Sequence, residues 1–132
     1  MQCQTPDGST TFTIPMEWWS FCEMDNFRSR RIGTYYPYQP STISEVTVVP
    51  LFEVEPPCRS DGVPAFRKYK LVPVMLAFAS PECDLPPIEV KPIANSAYRY
   101  QVCNGYHRYY ASVAVGYIDI PALVVIMDEN GL

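Results

Sequence analysis

The sequence is poor in the residues that several functional classes require. Its 132 residues hold one histidine and ten Lys or Arg against fourteen Asp or Glu, which gives a net charge of −4. Broad binding to a nucleic-acid backbone or an anionic membrane needs a basic surface, so both are disfavoured. No apolar run is long enough to cross a bilayer, and the first residues lack the basic and apolar regions of a secretory signal. We therefore expect a cytoplasmic protein without membrane contact, with DNA a disfavoured partner.

Paired cysteine motifs are also missing. The five cysteines are widely spaced, are odd in number and include no CxxC pair. With a single histidine beside them, no recognisable zinc spacing exists and a full disulfide framework is disfavoured. We expect reduced thiols and no metal site. A chain of this length with 48% hydrophobic residues is sufficient for one core.

The clearest pattern that is present lies in residues 98–126. Residues 98–102 alternate aromatic or apolar side chains with polar ones, which predicts a strand. Gly105 tolerates the positive φ of a turn, and a helix is predicted from near Tyr106 to a stop at Gly116. A second strand is predicted from Ile120.

The junction between this strand and helix is a candidate anion site. The start of a helix has unpaired amides and a partial positive charge, which attract phosphate. Asn104, Gly105 and Tyr106 would bring a ligand close to these amides. His107 and Arg108 would add side-chain donors. Two structural alternatives stay open: Arg108 as a solvated surface charge, and His107 as a first-turn histidine bonded to backbone or to a tyrosine.

Three motifs resemble the ParB N-terminal and sulfiredoxin superfamily. Its members share a strand ending in P-I-x-V, a strand leading to G-x-H-R-x-x-A or G-E-R-R-x-x-A, and a strand I-P-x-x-V. The matching segments here are Pro87-Ile88-Glu89-Val90, Gly105-Tyr106-His107-Arg108-Tyr109-Tyr110-Ala111 and Ile120-Pro121-Ala122-Leu123-Val124. The resemblance implies an α+β domain with a compact mixed sheet and helices packed on it. We expect that domain, solitary, in residues 43–132, with residues 1–42 as an aromatic-rich extension packed on the core.

The resemblance also implies a nucleotide- or phosphate-binding function. ATP or CTP with Mg²⁺ would be the ligand, and the enzymatic version would be an ATPase, kinase or nuclease-type hydrolase. His107 and Arg108 would then be catalytic. Residues 104–108 and Arg59, on the loop 55–64, would bind the nucleotide, although an exposed loop arginine is an equal alternative for Arg59.

Two points argue against particular enzymatic activities. Tyr106 stands where sulfiredoxins have a cysteine, and a phenol cannot replace a thiolate nucleophile, so reductase activity is disfavoured. Phosphoryl transfer would need a carboxylate. Glu53, Glu55 and Asp61 are candidates, and no feature of the sequence selects one of them. The alternatives are a binding module without turnover, or a plasmid- or phage-type protein-interaction module that uses the aromatic residues of 1–42 as its surface.

Weaker patterns cover the rest of the chain. Residues 1–10 look loose. A short helix is predicted after Thr13, with Trp18, Phe21 and Cys22 on its apolar face and Trp19 off it. Residues 43–49 and 88–93 are predicted strands. A helix is predicted over residues 72–79, with Pro73 in its first turn and one apolar face formed by Val72, Met75, Leu76 and Ala79.

Overall fold

The computed structural model describes residues 1–27, 33–40, 45–58, 64–80, 84–94 and 96–125. The strands in these ranges are β1 (Gln2–Gln4), β2 (Thr11–Thr13), β3 (Thr47–Pro50), β4 (Val54–Glu55), β5 (Ile88–Pro92), β6 (Tyr100–Asn104) and β7 (Asp119–Val124). The α-helices are α1 (Met16–Phe21), α2 (Lys68–Ala79) and α3 (Tyr106–Val115). Short 3-10 turns occupy Met24–Asn26 and Leu51–Glu53.

Five of the strands form one mixed sheet in the order β3-β7-β5-β6-β4. The outer pair β3 and β7 is antiparallel, β7 and β5 are parallel, β5 and β6 are antiparallel, and β6 and β4 are parallel. Strands β1 and β2 form a separate antiparallel hairpin. The expected α+β class with a mixed sheet is confirmed.

The core lies between this sheet and the two longer helices. Ile88 and Ile120 of the central strands are fully buried, as are Met75 on α2 and Ala111 on α3. Helices α2 and α3 also pack on each other. Burial of apolar area therefore fixes how α2 and α3 sit on the sheet, and with it the position of the β6–α3 junction.

The expectation that residues 1–10 are loose is wrong. Residues 2–4 pair with residues 11–13, and the turn between them is closed by its own side chains. The Asp7 carboxylate accepts from the Thr5 hydroxyl and from the backbone N–H of Ser9, while the backbone N–H of Thr10 donates to the Thr5 hydroxyl. Short polar side chains that bond to nearby backbone close turns in this way, so a polar segment of this composition need not be loose.

The predicted face of the first helix is also partly wrong. The helix begins at Met16 after Pro15, since Thr13 is still in β2. Cys22 is buried as expected, but Trp19 is 7% exposed and Phe21 is 67% exposed. The indole N–H of Trp19 donates to Asp25, so its ring can enter the core with a satisfied polar atom. A helix shorter than two turns gives the 3.6-residue period too few positions to select a face.

Several aromatic side chains of residues 1–42 belong to the same core as the sheet. Phe12 packs edge-on against Tyr110 of α3, with ring centroids 4.9 Å apart, and Tyr36 stacks on Phe78 of α2 at 5.4 Å. Phe27 is buried beside them. The predicted strand 43–49 corresponds to β3, which starts at Thr47. The expected boundary between residues 42 and 43 lies outside the described residues.

Helix α2 starts at Lys68, earlier than the predicted residue 72, so Pro73 lies inside it. A proline inside a helix removes one backbone hydrogen bond, and for that reason the sequence predicts Pro73 in the first turn. Val72 and Met75 are buried as expected, but Leu76 is 43% exposed and Leu71 and Phe78 are buried instead. In the described parts of the chain, none of the helices has the length and apolar character needed to cross a membrane.

Candidate functional site

The β6–α3 junction forms because Gly105 packs directly on the sheet. Gly105 has φ 130°, and a Cβ at this position would lie 2.4 Å from Cγ2 of Ile88 and 2.7 Å from its Cβ. Only glycine can therefore bring the backbone this close to β5 in this conformation. The close approach that requires Gly105 is thus to Ile88, whereas the sequence pattern predicts a close approach to a ligand.

A cleft of about 480 Å³ opens at this junction. One wall comes from β6 and the start of α3, a second from α2, and a third from the residues after β4. The described lining residues are Pro57, Cys58, Lys70, Val74, Val102, Cys103, Asn104, Gly105, Tyr106, His107 and Arg108. Residues 104–108, singled out from the sequence, therefore border one opening. Arg59 lies outside the described residues, immediately after Cys58.

His107 joins the two helices that border the cleft. Its ring is 8% exposed, and Nε2 accepts a hydrogen bond of 3.2 Å from the backbone N–H of Arg67, the residue that precedes α2. The ring also packs edge-on against Phe66, with centroids 5.9 Å apart. An Nε2 that accepts this bond belongs to the neutral ring with its proton on Nδ1. His107 thus holds the starts of α2 and α3 side by side; its catalytic role stays a prediction.

Arg108 is anchored and is not a free surface charge. Its Nη1 donates to the backbone carbonyls of Pro86 and Pro87 at 2.7 and 2.8 Å. The hydroxyl of Tyr36 donates to the same Pro86 carbonyl at 2.7 Å. A guanidinium has five N–H donors, so this anchoring leaves donors on Nε and Nη2. The charge of Arg108 is therefore held at the rim of the cleft.

The neighbouring side chains fix the other parts of the rim. The Asn104 amide donates to the Glu89 carboxylate at 3.0 Å, which ties the end of β6 to β5. The Tyr106 hydroxyl accepts from the backbone N–H of Ala65 at 3.2 Å. The segment that leads into α2 is thereby attached to the first residue of α3.

The third wall is attached through a buried tyrosine. The Tyr110 hydroxyl donates to the backbone carbonyl of Pro57 at 2.6 Å. Burial raises the pKa of Tyr110, so the phenol is neutral and acts as a donor. The residues just after β4 are thus held against α3.

The cleft carries positive charge although the chain is acidic. Lys70 and Arg108 line it, and the described lining residues include neither Asp nor Glu. The starts of α2 and α3 meet nearby through Arg67 and His107, and the partial positive charges of two helix ends add together there. Lys70 was missed from the sequence because α2 was predicted to begin after it. No sequence signal marks it out from Lys68.

Among the described residues no carboxylate lines the cleft itself, and Glu89 lies directly beside it through its hydrogen bond with the Asn104 amide. Glu53 lies 3.9 Å from Arg99 in an ion pair, and neither Glu53 nor Glu55 lines the cleft. Asp61 lies outside the described residues. Within the residues described, no three His, Cys, Asp or Glu side chains are grouped so that they could hold a metal ion.

Comparison with known proteins finds a likeness among solved structures and none elsewhere. No family model matches the sequence, and no curated protein matches it. Among solved structures, the chain is similar to the C-terminally truncated chromosome-partitioning protein ParB from Caulobacter crescentus complexed with CTP-gamma-S, at a TM-score of 0.49 and 23% identity. The match covers 67% of this chain and 48% of the ParB chain, so this chain spans about half of the ParB chain's length.

Proposed function

We propose that the cleft at the β6–α3 junction binds a ligand through its phosphate groups, with a nucleoside triphosphate as the ligand class. The observation that carries the proposal is the charge of the cleft. In a chain of net charge −4, the described lining residues provide Lys70 and Arg108 and no carboxylate. Such a local reversal of sign attracts anions even though the molecule as a whole repels them.

The two cations suit different parts of a polyphosphate. Arg108 is anchored by two carbonyls, so it can present its remaining donors from a fixed position. Lys70 is exposed on the first turn of α2 and can follow a phosphate as a mobile point charge. The first residues of α3, Tyr106 to Arg108, line the same cleft. This arrangement favours a phosphate group over an uncharged ligand.

The size and walls of the cleft support a ligand larger than one phosphate. Its volume of about 480 Å³ falls within the range of about 300–1,000 Å³ typical of small-molecule sites. Tyr106 offers an aromatic surface and Val74 and Val102 an apolar one. A divalent cation would be held by the phosphates, because the described lining residues carry no carboxylate to bind it.

Binding without turnover is the version that these residues favour. Phosphoryl transfer or hydrolysis needs a group that orients the attacking oxygen, commonly a carboxylate. Nε2 of His107 already accepts the Arg67 N–H and is thereby occupied. We therefore propose ATP or CTP as a bound ligand. Hydrolysis is tested in the same experiment by measuring the release of phosphate.

Calorimetric titration of the purified chain with pyrophosphate, CTP and ATP, each with and without Mg²⁺, tests the proposal. Lys70→Gln should weaken binding by about five-fold, the effect of losing about 1 kcal/mol from one partly solvated ion pair. Lys68→Gln is the matched control. Lys68 is exposed on the same turn of α2 but does not line the cleft, so its loss changes net charge equally and should leave affinity unchanged.

Two results would contradict the proposal: no heat with any of the three ligands up to millimolar concentration, or equal weakening in both lysine variants. Release of phosphate during the titration would show turnover. The protein-interaction alternative stays a proposal: Phe12, Trp19, Phe27 and Tyr36 are buried and so are not part of an open surface, whereas Phe21 is exposed.

A further inference from the structure

Two exposed thiols border the same cleft. Of the cysteines in the described residues, Cys58 and Cys103 are exposed, Cys3 is partly buried and Cys22 is buried. Both exposed cysteines line the cleft at the β6–α3 junction, and neither buried one does. The phosphate-binding proposal assigns no role to either sulfur.

Strand register explains why the two residues reach one opening. Strands β4 and β6 are parallel, with Val54 opposite Tyr100 and Glu55 opposite Gln101. Cys58 and Cys103 follow these pairs in the same direction, so both lie at the same end of the sheet. Neighbouring strands are about 4.8 Å apart, and the Tyr110 bond to Pro57 keeps the segment after β4 close to α3.

The charge of the cleft selects which reagents reach these thiols. Lys70 and Arg108 border the cleft together with both cysteines, and the described lining has no opposing carboxylate. An anionic reagent is therefore concentrated near Cys58 and Cys103, whereas a neutral one is not.

We propose that Cys58 and Cys103 make the cleft a site of reversible modification by anionic low-molecular-weight disulfides of the glutathione disulfide class. The protein thiolate attacks one sulfur of the disulfide. A protein–glutathione S–S bond forms, the original S–S bond breaks, and the second glutathione leaves as a thiolate that takes up a proton. The protein thiol is oxidised and the small disulfide is reduced. The attached tripeptide then occupies the cleft and excludes the phosphate ligand, a consequence that rests on the proposed function.

Paired alkylation rates test the charge selection without any phosphate ligand. Iodoacetate is anionic and iodoacetamide is neutral, and peptide mapping gives the rate of each at each cysteine. The iodoacetate-to-iodoacetamide ratio at Cys58 and Cys103 should exceed that of a neutral cysteine peptide by about three-fold, as expected for one nearby unit charge in water. Lys70→Gln should bring the ratio back toward the peptide value, and Lys68→Gln should not.

Glutathione disulfide then tests the modification itself. Peptide mapping should find the mixed disulfide on Cys103, Cys58 or both, and a dithiol reductant should remove it. Modified protein should lose pyrophosphate binding by calorimetry and recover it after reduction. The Cys58→Ser/Cys103→Ser double variant should keep binding after the same treatment. Serine is close in size to cysteine and both sites are exposed, so the variant should fold normally.

The outcomes separate this inference from the proposed function. Equal reagent ratios in the wild type and the neutral peptide, or no mixed disulfide on either cysteine, would overturn the modification site. A mixed disulfide that leaves pyrophosphate affinity unchanged would overturn the exclusion of phosphate. If reduced wild type binds no pyrophosphate, the proposed function fails, while the alkylation ratios still decide the thiol site.

Discussion

Two glycine turns with positive φ lie in different settings in this molecule. Gly8, in the turn between β1 and β2, has φ 73°, and an added Cβ would meet nothing within 4 Å. Gly105, between β6 and α3, has φ 130°, and its Cβ would collide with Ile88. The hairpin turn is closed by Thr5, Asp7 and Ser9, which are its immediate neighbours. The junction depends on a strand far away in sequence, so its geometry is a property of the whole sheet.

Substitution of the two glycines should separate backbone strain from packing. Gly105→Ala should lower the free energy of unfolding by about 4 kcal/mol, because it adds overpacking against Ile88 to the strain of positive φ. Gly8→Ala should lose about 1 kcal/mol, from strain alone. Urea denaturation measures both. Because Ile88 is the residue that collides, Gly105→Ala and Ile88→Ala together should cost less than the sum of the single changes, and additive costs would contradict the contact.

His107 offers a second way to test the junction. His107→Phe should destabilise the fold by about 2 kcal/mol, because the Arg67 N–H loses its acceptor. His107→Gln can place an amide oxygen near the position of Nε2, so it should recover most of that loss in urea denaturation.

The same pair of variants tests the catalytic and binding role expected for His107. If the imidazole only joins the helices, His107→Gln should bind pyrophosphate like the wild type. If His107→Gln folds normally but loses affinity or turnover, the imidazole itself contacts the ligand.

Two adjacent tyrosines on α3 allow a finer comparison. Tyr110→Phe should cost about 1 kcal/mol, since the hydroxyl bond to Pro57 is lost. The Tyr109 hydroxyl is buried and has no hydrogen-bond partner among the described residues, so Tyr109→Phe should be neutral or slightly stabilising. Thermal unfolding of both variants checks the difference. Equal destabilisation would show that the Pro57 bond does not hold the third wall.

The smallest effect is expected where the hairpin turn contacts the segment before β6. The Tyr98 hydroxyl donates to the Asp7 carboxylate, and this bond is the main cause that holds the pKa of Asp7 below its usual value. A lowered carboxyl pKa stabilises the fold above the unfolded value of about 4, and that stabilisation is lost as the pH falls. Asp7 is exposed and Tyr98 is only partly buried, so the contribution is small. Tyr98→Phe should therefore reduce the loss of stability between neutral and acid pH, measured by urea denaturation at both.

The sequence predicted the fold best where turn-forming glycines and the periodicity of apolar residues agreed. Alternation before Asn104, the glycines at 105 and 116, and the apolar run after Ile120 predicted α3 and the start of β7 to within one residue, whereas β6 lies two residues later than the predicted 98–102. Each of these signals is local, so no tertiary information was needed to read them.

The sequence predicted the structure least well where tertiary contacts determine which residue is buried or where a helix begins. Because Pro73 is unfavourable inside a helix, the sequence predicts that α2 begins after Lys70. Lys70, the second cation of the cleft, is therefore not predicted to lie on that helix. The choice between Trp19 and Phe21 depends on the Asp25 partner of the indole. The reason for Gly105 could not be read from the chain either, since Ile88 is brought to it only by the β5–β6 pairing.

The brief pairing of β4 has a consequence for how this cleft could diversify. That strand joins the sheet through two residue pairs at its edge, and in the described residues 56–58 beyond it the Tyr110 hydroxyl bonds to the Pro57 carbonyl. Replacements at positions 56–58 would disturb few core contacts, whereas replacements at 105–110 would unsettle the whole sheet. Changes in ligand preference, in evolution or in a designed library, should therefore arise first in the third wall of the cleft, which the residues after β4 form.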